Sequence, residues 1–329
     1  MLVRALAFVL LLGCGASRAP TSAPPPPTPS YDPAPTLIAG AFPPDRGPDG
    51  NTVILDAPRG LIIVDTGRHL EHQDKILVHA KQAGKPIAAV VNSHWHLDHS
   101  GGNAELRAVY PAAEIVATRA VEGALVGFFP KSRAANDALV ASGKATPQQI
   151  EDIKLGRAAI DDTKNLLPTR PISESGTVDI AGRTLELRVA PFAATEADLW
   201  IYDPATRTAI VGDLVVASVP FFDTGCPDGW RAALAEIAAT PFVRLIPGHG
   251  EPMTREAFTR WRTAFDALLD CAASPAEVAT CAAGWRTGAA GFIAPGDEAR
   301  IDEYTTYYVT QILRSREARE RFCHPLRAP

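Results

Sequence analysis

Between residues 51 and 250, short apolar runs alternate with turn-forming residues and amphipathic stretches. Residues 52–55 (Thr-Val-Ile-Leu) and 61–64 (Leu-Ile-Ile-Val) flank the polar segment Asp56-Ala57-Pro58-Arg59-Gly60, which predicts two strands and a turn. Residues 70–83 carry Ile76, Leu77 and Ala80 on one side, the pattern of a surface helix, and Gly84 is its expected stop. After Pro86, the continuous apolar run 87–91 predicts a buried strand. Gly101-Gly102-Asn103 opens a helix over 104–110, and 114–118 predicts the next strand. Further strands are expected at 177–180, 184–190, 199–202 and 208–211, with a turn at Asp203-Pro204. A helix over 228–239 then precedes a strand at 242–246 that ends in Pro247-Gly248-His249-Gly250. This alternation argues for an α/β fold.

Two regions depart from the rhythm. Residues 120–167 are polar and alanine-rich, with helices expected at 131–142 and 147–166. Thr146 is a good cap for the second of these, with Pro147 at its first position. The segment reads as a helical insertion that either shapes an active-site mouth or packs on one face. Beyond 255, Phe258, Trp261, Phe265, Leu268 and Leu269 form an apolar stripe at helical spacing, as core packing requires. The stretch 301–321 also reads as helical, with its arginines on a solvated face, so 256–329 forms a helical extension.

The N-terminal residues lie outside the folded pattern. Arg4 precedes the apolar run 6–12, which is far shorter than a spanning helix and reads as an export signal. The run ends Leu11-Leu12-Gly13-Cys14, which resembles the lipobox of bacterial lipoproteins. The expectation is an exported lipoprotein, with residues 1–14 as signal and lipobox and Cys14 acylated onto a membrane surface; ordinary secretion is the alternative. Proline-rich residues 15–36 suit neither helix nor central strand and read as a tether, so the folded part begins near Leu37. The formal charge of -5, with no long basic patch, argues against a nucleic-acid partner. Export permits disulfides among Cys226, Cys271, Cys281 and Cys323. Cys271 and Cys281 are close enough to bridge short elements, leaving Cys226 with Cys323, but three pairings are open and Cys226 is alternatively a free thiol.

The chemistry concentrates just past the 87–91 strand. His94, His96, Asp98 and His99 fall within six residues. Imidazole and carboxylate are ligands that zinc accepts, and four of them in one turn suit two adjacent ions better than one. Asp213 and His249, each placed after a strand and beside glycine, are candidates to complete the sites. No Gly-x-Ser-x-Gly elbow surrounds Ser93 or Ser100, so serine chemistry is not expected.

The run His94-Trp95-His96-Leu97-Asp98-His99 resembles the His-x-His-x-Asp-His signature of the metallo-β-lactamase fold superfamily. Asn51, Asp65-Thr66-Gly67, Gly101-Gly102-Asn103, Gly212-Asp213 and Pro247-Gly248-His249-Gly250 extend the resemblance over roughly residues 38–255. It implies an αββα sandwich with the site at one edge of the sheets. It also implies His94 and His96 at a first zinc, Asp98, His99 and His249 at a second, and Asp213 bridging them. Asp98 would orient a zinc-activated hydroxide. The family's third histidine for the first metal stands in a stretch like Ala-His-Thr-x-x-Asp. Here that stretch is Ala193-Ala194-Thr195-Glu196-Ala197-Asp198, with alanine in the histidine's place. A tightly held second ion and a weaker first ion are expected, with Glu196 or His69 as conceivable substitute ligands. Iron or manganese can also occupy such donors. The expected activity is metal-dependent hydrolysis of a small ester-, lactone-, thioester- or lactam-like substrate. The alternatives are a β-lactamase and a lipid-tethered metal- or ligand-binding protein with lost turnover.

Overall fold

The computed structural model describes residues 33–43 and 46–324. Residues 1–14, including Cys14, and most of the 15–36 tether lie outside the described residues.

The first half builds one sheet. Strands β1 (Thr36–Ile38), β2 (Thr52–Ala57) and β3 (Gly60–Val64) run antiparallel in that order. Helix α1 (Leu70–Ala83) crosses to β4 (Ile87–Val91), which lies parallel to β3. Gly84 ends α1 in the left-handed conformation at φ 62°, the role expected of it. The short helices α2 (Leu97–Ser100) and α3 (Asn103–Val109) lead to β5 (Glu114–Ala117). The insertion follows as α4 (Ala120–Val126), α5 (Phe128–Ala141), α6 (Pro147–Asp161) and α7 (Thr163–Leu166). Thr146 caps α6 in a full capping box with Gln149. Strand β6 (Arg170–Pro171) then closes the sheet in the order β1-β2-β3-β4-β5-β6.

The second sheet, in the order β11-β10-β9-β8-β7, follows from β7 (Gly176–Ile180), β8 (Arg183–Pro191), β9 (Ala197–Asp203), β10 (Thr208–Ile210) and β11 (Arg244–Ile246). Helix α8 (Pro227–Ala239) makes the crossover between its last two strands, which are parallel.

Side-chain alternation explains the layering. Val53 and Leu55 of β2, with Ile62 and Val64 of β3, pack between the sheets against Leu185, Leu187, Leu199 and Ile201. Ile54, Leu61 and Ile63 point the other way, onto Ile76 and Ala80 of α1 and Leu106 of α3. On the far side, Trp200, Tyr202 and Ala209 meet α8 and the helical extension. The result is the αββα sandwich expected from the sequence.

The extension consists of α9 (Arg255–Ala273), α10 (Val278–Gly288), α11 (Glu298–Tyr308) and α12 (Arg316–Phe322). The single helix expected over 301–321 is instead broken by a π turn at Val309–Leu313, and Ser315 caps a fresh start. Cys271 bridges Cys281, and Cys226 bridges Cys323, so Cys226 is not a free thiol.

Candidate metal centre

The loop after β3 prepares the site before any ligand arrives. Asp65 adopts a left-handed backbone at φ 61°, a conformation aspartate tolerates better than most residues. Its carboxylate accepts from Ser93 N and Ser93 Oγ, both at 2.7 Å. It also accepts from His99 Nδ1 at 2.8 Å, which turns Nε2 of His99 inward.

The same logic fixes His94. The Ser93 hydroxyl has one proton and gives it to Asp65, so at 3.0 Å from His94 Nδ1 it accepts. His94 therefore presents Nε2 as a lone pair, and that atom is buried without a hydrogen-bond partner. Thr224 repeats the arrangement on His96. Its hydroxyl donates to the Ala194 carbonyl at 2.8 Å and so accepts from His96 Nε2 at 3.0 Å, leaving His96 Nδ1 bare.

Sheet two supplies the remaining donors. Gly212 follows β10 with φ 51°, and Asp213 sits in the 3₁₀ turn Gly212–Leu214. His249 follows β11. Asn51 holds this loop, donating from Nδ2 to Pro247 O at 2.9 Å and to Gly250 O at 2.8 Å. Gly248 must lack a side chain, because a Cβ there would stand 2.1 Å from Asp213 Oδ1. Gly50 is under a similar demand, since its Cβ would come within 2.4 Å of the His99 ring.

These loops bring Asp98, His99, Asp213 and His249 into one buried cluster. His99 Nε2 lies 3.1 Å from Asp213 Oδ1 and 3.6 Å from Asp98 Oδ2. His249 Nε2 lies 3.2 Å from Asp98 Oδ2, 3.4 Å from Asp213 Oδ1 and 3.2 Å from His99 Nε2. Ligands at about 2.0–2.2 Å from a tetrahedral ion stand about 3.3–3.6 Å apart. The cluster therefore has the dimensions of a tetrahedral cage. A second group joins His94, His96 and Asp213. Asp213 Oδ2 lies 3.8 Å from His94 Nε2 while Oδ1 faces the cage, so one carboxylate serves both groups. Both oxygens are buried, and the nitrogens facing them are those of His94, His99 and His249.

The electrostatics favour a cation. Burial opposes a charge on His99, but Asp213, Asp65 and Asp98 outweigh it and hold this imidazole well above its ordinary value. Burial likewise opposes ionisation of Asp98 and Asp213, yet the facing imidazoles of His99 and His249 hold both carboxyls below the usual range. A site that so stabilises a buried proton offers the same field to a divalent ion. By contrast, burial and neighbouring imidazoles push His94 well down, and burial lowers His96, so both stay neutral as ligands must be.

Ala194 is buried within the segment held by Asp198, whose carboxylate receives Thr195 N at 2.9 Å and Thr195 Oγ1 at 3.1 Å. Burial raises Asp198 to about 7. The two conceivable substitute ligands are engaged elsewhere. Glu196 accepts Trp95 Nε1 at 3.0 Å. His69 is held by Asp49 at 2.7 Å and by Asp152 at 2.9 Å, one carboxylate on each nitrogen. Neither belongs to a metal-binding group among the described residues. The site thus has six candidate ligands, and neither conceivable substitute joins them.

Asp98 and His96 open onto a cavity of about 460 Å³, within the usual size range of ligand sites. Trp95, Phe128, Phe129 and Ile160 wall it from the insertion side, and Phe221, Asp223, Tyr304 and Tyr308 from the other chain segments. The sequence did not single out Thr224, Arg68, Asp223 or Tyr308, because no local pattern marks them.

Sandwich and clustered donors together support a hydrolase role, with a site compatible with metal coordination. The chain belongs to the metallo-beta-lactamase superfamily, whose profile matches residues 45–281. It is 26% identical over 224 residues to the linear primary-alkylsulfatase of Pseudomonas sp. (strain ATCC 19151), covering 61% of this chain and 41% of that protein. The chain therefore spans well under half of that relative's length. Among solved structures, the stereoselective inverting sec-alkylsulfatase Pisa1 from Pseudomonas sp. matches with TM-score 0.54 and 18% identity, over 84% of this chain and 49% of that one. A metallo-beta-lactamase from Pontibacter korlensis gives TM-score 0.48 and 17% identity, over 67% of this chain and 87% of its own.

Proposed function

We propose that the protein is a metal-dependent hydrolase of small ester-type substrates with an apolar part. The observation that carries this reading is a cage of tetrahedral dimensions opening onto an aromatic-walled cavity. When bound, a divalent ion such as zinc supplies Lewis acidity and acidifies water. The chain's own residues do the rest. Asp98 faces both cage and cavity and orients the attacking water. Asp65, Ser93 and Thr224 hold the imidazoles in their ligating orientation. Trp95, Phe128 and Phe129 bind the apolar portion and exclude bulk water.

The likeness to a linear primary-alkylsulfatase supports adding sulfate esters to the carboxylic esters, lactones, thioesters and β-lactams implied by the superfamily. The decisive assay is hydrolysis of one member of each class with and without added zinc. Zinc-dependent turnover of at least one is expected. Metal binding without turnover of any would support the second reading, favoured by Ala194, of a binding protein that lost catalysis. Export and acylation at Cys14 complete the proposal. Labelled palmitate should enter the wild type and not Cys14→Ser.

A further inference from the structure

The cavity's charges are unequally committed. Of its lining arginines, Arg133 pairs with Asp161 and Arg157 with Asp137. Arg68 has no side-chain hydrogen bond among the described residues. Its nearest carboxylate oxygen is Asp98 Oδ1, 3.8 Å from Nη2. Its Nε is buried without a partner. The guanidinium is nonetheless seated in a defined place, lying against Gly47, where a Cβ would stand 2.4 Å from Nη1. Asp98 would offset this charge only while free, because a cation held by the cage would neutralise Asp98. The other lining carboxylates compete weakly. Asp152 is paired with His69, and Asp223 is solvent-exposed and accepts the Tyr308 hydroxyl at 2.7 Å.

A guanidinium beside the cage at one end, and Trp95, Leu97, Phe128, Phe129, Ile153 and Ile160 along the walls, describe an amphiphilic site. We propose that Arg68 seats the head group of a singly anionic amphiphile, whose apolar arm lies in the chamber under the insertion. This deepens the hydrolase reading and rests on it for the identity of the site. A carboxylate and a sulfate share the chemistry that a planar guanidinium recognises through paired N–H donors.

The test is binding: octanoate and octanol carry no hydrolysable bond, and octyl sulfate, itself a sulfate ester, is checked for cleavage over each titration. Octanoate, octyl sulfate and octanol are titrated calorimetrically into the zinc-loaded protein, its Arg68→Met and Arg68→Lys variants, and the metal-free wild type. Hydrogen bonds to a charged partner correspond to roughly ten- to hundredfold in affinity. We expect at least one anion to bind zinc-loaded wild type by that factor more tightly than octanol. Arg68→Met should abolish the gap while leaving octanol unchanged, and Arg68→Lys should keep part of it. Preference for octanoate or for octyl sulfate alone identifies the head. A gap that survives in Arg68→Met means the ion holds the head, and overturns the proposal. Equal loss of octanol and anions in folded Arg68→Met and Arg68→Lys means Arg68 only supports the fold, and overturns it as well. If anions bind through Arg68 but the ester panel is inert with zinc, the hydrolase reading fails and this assignment stands.

Discussion

Three imidazoles of the centre are each held from behind by an oxygen, and the chain uses three unrelated residues to do it: Asp65 for His99, Ser93 for His94 and Thr224 for His96. Such outer partners typically change metal affinity by about 10- to 100-fold. Thr224→Val should therefore weaken the ion held by His94, His96 and Asp213 by roughly that factor, with recovery in Thr224→Ser. Metal titration monitored by cobalt absorption checks this; equal affinity in Thr224→Val would show that His96 needs no such support. Ala194→His addresses the same ion from the other side. It should convert one tight and one weaker ion into two tight ones, and unchanged stoichiometry would mean that Ala194 does not stand at a ligand position. At this scale the sequence was readable where ligands are neighbours. His94, His96, Asp98 and His99 share one turn, and glycines mark Asp213 and His249. Thr224 was not readable, because its partner His96 is 128 positions away and the turn carrying it has no motif.

The insertion was legible as helices, through alanine content and the Thr146-Pro147 cap, and of the two roles left open for it the cavity lining favours the mouth of a site. What fastens it is tertiary. Asp152 of α6 accepts from His69 at 2.9 Å and from Gly47 N at 2.6 Å, and His69 also pairs with Asp49. Burial opposes a charge on His69, but Asp49 and Asp152 prevail and raise it above the ordinary 6.5. Burial also opposes ionised Asp49, yet His69 and the Arg68 amide hold it below 3.8. A raised imidazole stabilises the fold fully below 6.5 and loses that contribution as pH climbs through its folded value. A lowered carboxyl stabilises above 3.8 and loses it as pH falls through its own. The latch is therefore strongest between 3.8 and 6.5. The melting-temperature gap between wild type and His69→Gln should be widest between pH 3.8 and 6.5 and narrow as the pH climbs above that range through the raised value of His69. A gap that stays constant however far the pH is raised would mean His69 contributes by packing alone. The disulfides tell a similar story: spacing left three pairings open, and only the seating of α12 beside Cys226 selects Cys226–Cys323.

Across the whole molecule, nine of the eleven strands among the described residues were legible from apolar runs, the short edge strands β1 and β6 were not because two or three residues carry no alternation, and the superfamily resemblance supplied how the sheets stack. Their meeting point is the cage itself: Asp98 and His99 follow a strand of the first sheet, while Asp213 and His249 follow strands of the second. An ion bound there cross-links the layers and is absent from the unfolded chain, so its binding energy becomes folding energy. At a free zinc concentration near 100 times the dissociation constant, this adds about 2.7 kcal/mol. For a chain of this size that means a rise of several degrees in melting temperature, reversed by a chelator. The two donor groups separate cleanly in such an experiment. His249→Ala removes a cage corner contributed by the second sheet and should abolish most of the rise. His96→Ala removes only a ligand of the other group and should leave most of it. If His96→Ala proves the more damaging, the tight ion sits with His94 and His96, and the order of the two sites is reversed.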